Sequence, residues 1–332
     1  MKKYFYFIIV CGLVGTAHAA TDLKVAIENV RTNCAGISSE LSDLKKMAGI
    51  NTAVTGVGTV AGGVALGTGI AKANVDKKAE VLEAELAAEI ARLKELGAKQ
   101  SGLLSVDVSG IPLAGAEVNS ETHDNNSASG GNNVELSASI TQKQEELTAL
   151  NNKSKNLGNW RTGSMAVGTV ANIAGAAIAG NNRVKGDLKE QINACLAAVK
   201  ELSNSRMQAR MSGATDAELK RAEEIVRACE EWSTVDLGSI NSRASGAAVS
   251  SGVGATLGLA GTVTSAMANT NKIRDDNTDS GKKKEKGLNV ASNVLAGGTT
   301  IASGVATVFN ATQIRAIKRA VTVADKCEEV LK

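Results

Sequence analysis

Hydrophobic and polar positions along this chain fall into an unusual alternation. Four stretches, 47–71, 162–182, 244–271 and 287–314, carry no charged residue and consist mainly of Gly, Ala, Val, Thr and Ser. Between them lie polar, charged segments with apolar positions three and four apart. That period is the helical one, and it predicts helices rather than strands. Each uncharged stretch has at least 21 residues, and about 20 residues of helix cross a bilayer core. Glycines recur four apart within them, as Gly58 and Gly62, Gly63 and Gly67, and Gly254 and Gly258. Such pairs share one helix face and allow close backbone approach.

The order of the cysteines divides the chain in two. Cys34 precedes the first stretch and Cys195 follows the second; Cys229 precedes the third and Cys327 follows the fourth. Thr55-Gly56-Val57-Gly58-Thr59 corresponds to Ser251-Gly252-Val253-Gly254-Ala255, at nearly equal distances from Cys34 and Cys229. Gly168-Thr169 corresponds more loosely to Gly298-Thr299. This pattern reads as an internal duplication, with one helical unit at 20–205 and a second at 212–332. Four cysteines allow three pairings, and the repeated order favours Cys34 with Cys195 and Cys229 with Cys327. Free buried thiols are the other reading.

The first unit has a long insertion. Leu82, Leu86, Ile90 and Leu93 line one face after the first stretch, and Leu136, Ile140, Leu147, Leu150 and Leu157 line another before the second. Those spacings predict a coiled-coil-like arm over 75–157. Residues 101–135 include the chain's single proline, Pro112, and the run Asn125-Asn126-Ser127-Ala128-Ser129-Gly130-Gly131-Asn132-Asn133. This composition predicts a flexible loop, with a short strand proposed at 103–108.

Composition adds compartment. Lys2 and Lys3, an apolar core from Tyr4 to Val14 and Ala17-His18-Ala19 form the n-region, core and cleavage site of a signal peptide, residues 1–19. Cys11 lies inside that apolar core, which argues against lipidation. Export favours oxidised cysteines. Without the signal's two lysines, the 37 basic residues fall to 35 against 34 acidic. That balance argues against a nucleic-acid partner. The signal also takes four of the seven aromatic residues, leaving Trp160, Trp232 and Phe309. The apolar surface of the mature chain therefore comes mostly from aliphatic side chains.

A cleaved signal and four crossings would put all four cysteines on the outer side and the basic segment 272–286 on the inner side, following the positive-inside tendency. Lys45, Lys46, Arg183 and Lys185 flank the outer side as well. Against insertion stand the many Thr, Ser and Gly residues, and Asn51, Asn172, Asn289 and Asn293, which would each need a partner in lipid.

Chemistry is sparse. His18 leaves with the signal and His123 lies alone in the loop, so neither a Ser-His-Asp nor a multi-histidine metal site can be assembled. The glycine-rich stretches lack the P-loop lysine context. Asp275-x-Asn277-x-Asp279 has the opening spacing of a calcium loop, but Ser280 and Lys286 stand where glycine and the bidentate glutamate belong. A polar turn is the better reading. Trp160 is a candidate interfacial anchor or packing residue, Trp232 a packing residue over the disulfide region, and Phe309 a core residue.

The expectation is an all-α protein of two tandem helical-hairpin units with close-packed Gly/Ala-rich helices, the first extended by the arm. Gly58, Gly62, Gly63, Gly67, Gly168, Gly175, Gly254, Gly258, Gly298 and Gly304 are the candidate packing positions. In composition alone these helices resemble glycine-zipper segments of bacterial envelope proteins. The function expected is non-enzymatic and structural or assembly-related, in the periplasm, the envelope membrane or outside the cell, without cofactor or metal. Membrane, self-association and another envelope protein are the partners this leaves open. The alternative is a soluble exported bundle that binds a protein through the arm.

Overall fold

The computed structural model describes residues 22–99, 130–274 and 278–332. The proposed signal peptide, the strand at 103–108 and His123 lie outside them, as do most of the predicted loop and the first three residues of the 275–279 motif. Among the described residues the fold is all-α, with no strand. Helix α1 (22–34) leads into α2 (Ile37–Lys99), α3 (Gly130–Asn181), α4 (Gly186–Met211), α5 (Asp216–Glu230), a 3₁₀ turn (Glu231–Thr234), α6 (Leu237–Ala268), the single turn α7 (Asn271–Arg274) and α8 (Asp279–Val330). Gly36 joins α1 to α2 at φ 83°, and Gly213 joins α4 to α5 at φ 81°. Both turns need the left-handed backbone that glycine adopts without a Cβ penalty. Helix α5 begins with a capping box, in which Thr215 and Glu218 satisfy each other's backbone N–H groups.

The chain packs as two compact units that divide it differently from its sequence halves. Unit 1 takes the chain up to Val64, Ser164–Thr262 and Val294–Lys332; unit 2 takes Ala65–Gly163 and Val263–Asn293.

Unit 1 contains a conventional apolar core. Leu23, Val30, Ile37, Leu41, Leu188, Ile192, Leu202, Ile225, Trp232, Ile240 and Ile317 are buried together with all four mature cysteines. Cys34 is bonded to Cys195, joining α1 to α4, and Cys229 to Cys327, joining α5 to α8. The bridges close 161 and 98 residues of chain. Loops of that length give about 4–5 kcal/mol each in the chain-entropy account, before any native strain.

Unit 2 contains the arm as a helix pair. Ala79, Leu82 and Leu86 of α2 pack on Leu147 of α3, with Ile90, Ile140 and Leu150 alongside. The heptad-like spacing of these leucines brings them to the shared seam. Lys143 Nζ donates to Glu89 Oε1 (2.7 Å) and Glu85 Oε2 (3.2 Å) across the pair. The hydrogen bond that Lys143 donates to Glu89 holds the Glu89 carboxyl below its ordinary 4.5 and raises the Lys143 ammonium above 10.5. A depressed carboxylate stabilises above its unfolded value and loses that effect as pH falls through its folded value. A raised lysine stabilises fully below 10.5 and loses that effect as pH climbs past its folded value. Arm pairing, followed by helix-pair cross-linking or hydrogen exchange, is therefore expected to be flat between those limits and to weaken in acid and in strong base.

Candidate functional site

Along the uncharged stretches the usual polarity of a folded protein is inverted. Within unit 1, Asn51, Thr55, Thr169, Asn172, Ser251, Thr299, Ser303, Asn310 and Gln313 are buried. Ile50, Val57, Val60 and Val64 on α2 point outward and are exposed. So are Val167, Val170 and Ile173 on α3, Val249, Val253 and Leu259 on α6, and Val294, Ile301, Val305 and Val308 on α8. Near the disulfides of the same unit the ordinary arrangement holds, with aliphatic side chains inside. The inversion belongs to the uncharged stretches.

The interior is built as a polar ladder. Asn51 Nδ2 donates to Asn310 Oδ1 at 2.9 Å, and Asn310 Nδ2 to Thr55 Oγ1 at 3.3 Å. Thr307 Oγ1 donates to Thr55 Oγ1 at 3.1 Å, and Ser303 Oγ to Asn172 Oδ1 at 2.9 Å. Gln313 Nε2 donates to the Asn182 carbonyl at 2.8 Å. Four fully buried atoms, Asn51 Oδ1, Asn172 Nδ2, Ser251 Oγ and Gln313 Oε1, have no hydrogen-bond partner within the described residues.

Glycines make room for these side chains. A Cβ on Gly175 would stand 2.8 Å from Thr55 Cγ2 and 3.2 Å from Ser251 Oγ. One on Gly254 would stand 2.9 Å from Asn172 Nδ2, and one on Gly58 3.2 Å from Asn172 Oδ1. Gly62 faces Thr300, Gly258 faces Thr169, Gly298 faces Leu257, and Gly168 lies 3.5 Å from the Gly58 carbonyl. Gly63, Gly67 and Gly304 have nothing within 4 Å. The structure thus brings seven of the ten candidate glycines against another helix and leaves three on open faces. It also adds Gly69, Gly158, Gly246 and Gly261, which meet Asn293, Asn269, Phe309 and Met165. Phe309 is not interior, as the sequence reading has it. The residue is 36% exposed, and its ring lies over Gly246.

Unit 2 holds the charges that sequence reasoning passed over. Arg161 is 0% exposed. Its Nε donates to Ser265 Oγ (2.9 Å), Nη2 to Asn289 Oδ1 (2.7 Å) and Nη1 to Asn293 Oδ1 (3.4 Å). Gly69 leaves space for Asn293 and for the Arg161 side chain. Lys72 is 2% exposed, and its Nζ binds Asp76 Oδ2 (2.7 Å) and Glu285 Oε1 (3.1 Å). Asn289 Nδ2 donates on to Glu285 Oε1, and Ser154 to Asp76. Two cations and two carboxylates balance, which a low-dielectric interior requires. The signal was present in the sequence: Lys72, Arg161 and Glu285 each stand at the edge of an uncharged stretch. Trp160, the neighbour of Arg161, is 69% exposed.

Trp232 is buried in the cluster that holds the four cysteines. The sulfurs of Cys34, Cys195 and Cys327 lie within 4.8 Å of one another, so the two bridges sit side by side. In a Cys229→Ser variant the freed Cys327 thiolate is placed to attack the Cys34–Cys195 bond, joining one sulfur and releasing the other as a thiolate. A non-reduced peptide map is expected to show Cys327 bonded to Cys34 or Cys195. Recovery of Cys34–Cys195 alone would show that the sulfurs cannot close that gap.

The four long helical runs that hold all or nearly all of each stretch, Asp22–Glu95, Glu135–Met211, Asp216–Ala268 and Asp279–Val330, are each long and apolar enough to cross a membrane by length and composition. Compared with models of known protein families, with curated proteins and with solved structures, the chain shows no match.

Proposed function

We propose that this protein is a non-enzymatic exported envelope protein that inserts its four uncharged helical stretches into a membrane and acts by assembly rather than by chemistry. The observation that carries this reading is the inverted polarity. In water, rows of exposed valine and isoleucine over buried asparagine and serine are unfavourable on both counts. In lipid, helices associate without a hydrophobic drive, through small residues and interhelical hydrogen bonds, and present aliphatic side chains to the acyl chains. Polar and charged groups then face the protein interior with partners. The asparagines that speak against insertion in the sequence have such partners here: Asn51 with Asn310, Asn172 with Ser303, and Asn289 and Asn293 with Arg161. The bridged cysteines support an oxidising compartment.

Carbonate extraction of the mature protein from a Gram-negative host, followed by detergent partitioning, tests the reading. Retention in the pellet with release only by detergent is expected. Release by carbonate would overturn it in favour of the soluble exported bundle. The exposed aliphatic rows would then be covered by protein, and the arm would be the first segment to use in a pull-down.

A further inference from the structure

We infer that unit 2 carries a collar of lysines that binds the anionic headgroups of a bilayer. The inference rests on the membrane reading above and adds to it a lipid class and the level at which the bilayer surface meets the protein. Three contacts between helices fix that level. Asp76 of α2 meets Ser154 of α3, Lys72 of α2 meets Glu285 of α8, and Lys282 of α8 meets Glu83 of α2 at 2.9 Å. On the outward sides of the same turns stand Lys77, Lys78, Lys153, Lys155, Lys283 and Lys284, all exposed. Among the described residues none of the six joins an ion pair. Among the described residues, Glu80 and Asp279 are the exposed carboxylates beside them. Six lysines against these two carboxylates leave a positive excess among the described residues.

One to three turns from these lysines, at the ends of the uncharged stretches, the exposed residues change character. Ile70, Trp160, Met267 and Val290 point outward there. A tryptophan between an aliphatic band and a ring of lysines is the arrangement of a membrane–water interface. The internal cations Lys72 and Arg161 already have their carboxylate and amide partners, so the outer lysines keep their charge for an external anion. Clustered lysines next to membrane spans attract anionic lipid, with additive contributions that salt screens. Unit 1 by itself follows the same rule. Arg183, Lys185, Arg315 and Lys318 are exposed beyond the ends of its aliphatic rows.

Trp160 is a built-in reporter. The full mature protein is reconstituted in phosphatidylcholine bilayers doped equally with brominated phosphatidylglycerol or brominated phosphatidylcholine, and a Trp160→Phe variant supplies the Trp232 background. The Trp160 signal is expected to be quenched about threefold more strongly by the brominated anionic lipid at low salt. The excess is expected to vanish in high salt and in a variant with Lys77, Lys78, Lys283 and Lys284 changed to Gln. Those side chains are exposed and unpaired, so their replacement leaves the fold intact. Equal quenching by the two lipids would overturn the collar while leaving the membrane placement standing. Absence of quenching by either would remove the membrane reading, and the collar with it.

Discussion

Gly62→Leu is expected to destabilise the protein by about 2 kcal/mol or more, whereas Gly63→Leu, one residue on, is expected to be neutral or slightly stabilising. The two substitutions are chemically identical, remove no charge and lie in the same turn of α2. They differ only in what they face. A Cβ at position 62 would stand 2.6 Å from Thr300 Oγ1 and 3.2 Å from the Thr300 backbone N and Cα. The hydroxyl can rotate away, but the backbone of α8 cannot move without displacing the helix. The remaining leucine atoms would enlarge the conflict, at the usual overpacking cost of about 1–3 kcal/mol or more. Leucine's better helix propensity returns up to about 1 kcal/mol. At position 63 nothing lies within 4 Å, so only the propensity gain remains. Gly258→Leu repeats the test where α6 meets Thr169 of α3. Unfolding midpoints in mild detergent, followed by circular dichroism, give the comparison. Equal behaviour of Gly62→Leu and Gly63→Leu would show that close glycine packing does not hold these helices.

The second large effect is expected at Arg161. Arg161→Met keeps most of the aliphatic volume but strips donors from Ser265, Asn289 and Asn293 at once. It also leaves Lys72 alone among these internal groups to balance the charges of Asp76 and Glu285. Removing one member of a buried charge network costs about 3–5 kcal/mol, because the partners stay buried without compensation. The lower end is expected here, since the side chains of Asp76 and Glu285 are 35% and 21% exposed. Arg161→Lys restores charge but not the planar fork that reaches three acceptors in different directions, so it should recover only part of the loss. Pairing Arg161→Met with Glu285→Gln re-balances the charge. Recovery in that double variant beyond the sum of the single effects would assign the loss to electrostatics. Strict additivity would assign it to the hydrogen bonds alone.

Much of the architecture could be read from residue order. Uncharged stretches of helical length without a proline specify α2, α3, α6 and α8, because backbone hydrogen bonding there needs nothing from elsewhere in the chain. The leucine spacing of the arm is likewise local, and Leu82, Leu86 and Leu147 meet because a period near 3.5 brings one face to one partner. The juxtaposed bridges and the charge network were less legible. Lys72, Arg161 and Glu285 are far apart in sequence, and each alone looks like a flanking charge. Nothing local says that their side chains turn inward to meet.

Helical phase in the uncharged stretches is where the sequence falls short. Gly62 and Gly63 carry the same residue, and a stretch of Gly, Ala, Val and Thr has almost no hydrophobic contrast around its circumference. Such a helix does not declare which side is inside. In ordinary amphipathic helices burial of a leucine face sets that rotation; here Asn51 reaching Asn310 and Asn172 reaching Ser303 set it, across helices from distant parts of the chain. The sequence by itself therefore determined the helices, their lengths, the arm and the order of the cysteines, all of which follow from local backbone preference and spacing. Only the tertiary structure decided which face is polar, which glycines are contacts, and that Arg161 and Lys72 are interior, because those depend on partners that only packing brings into reach.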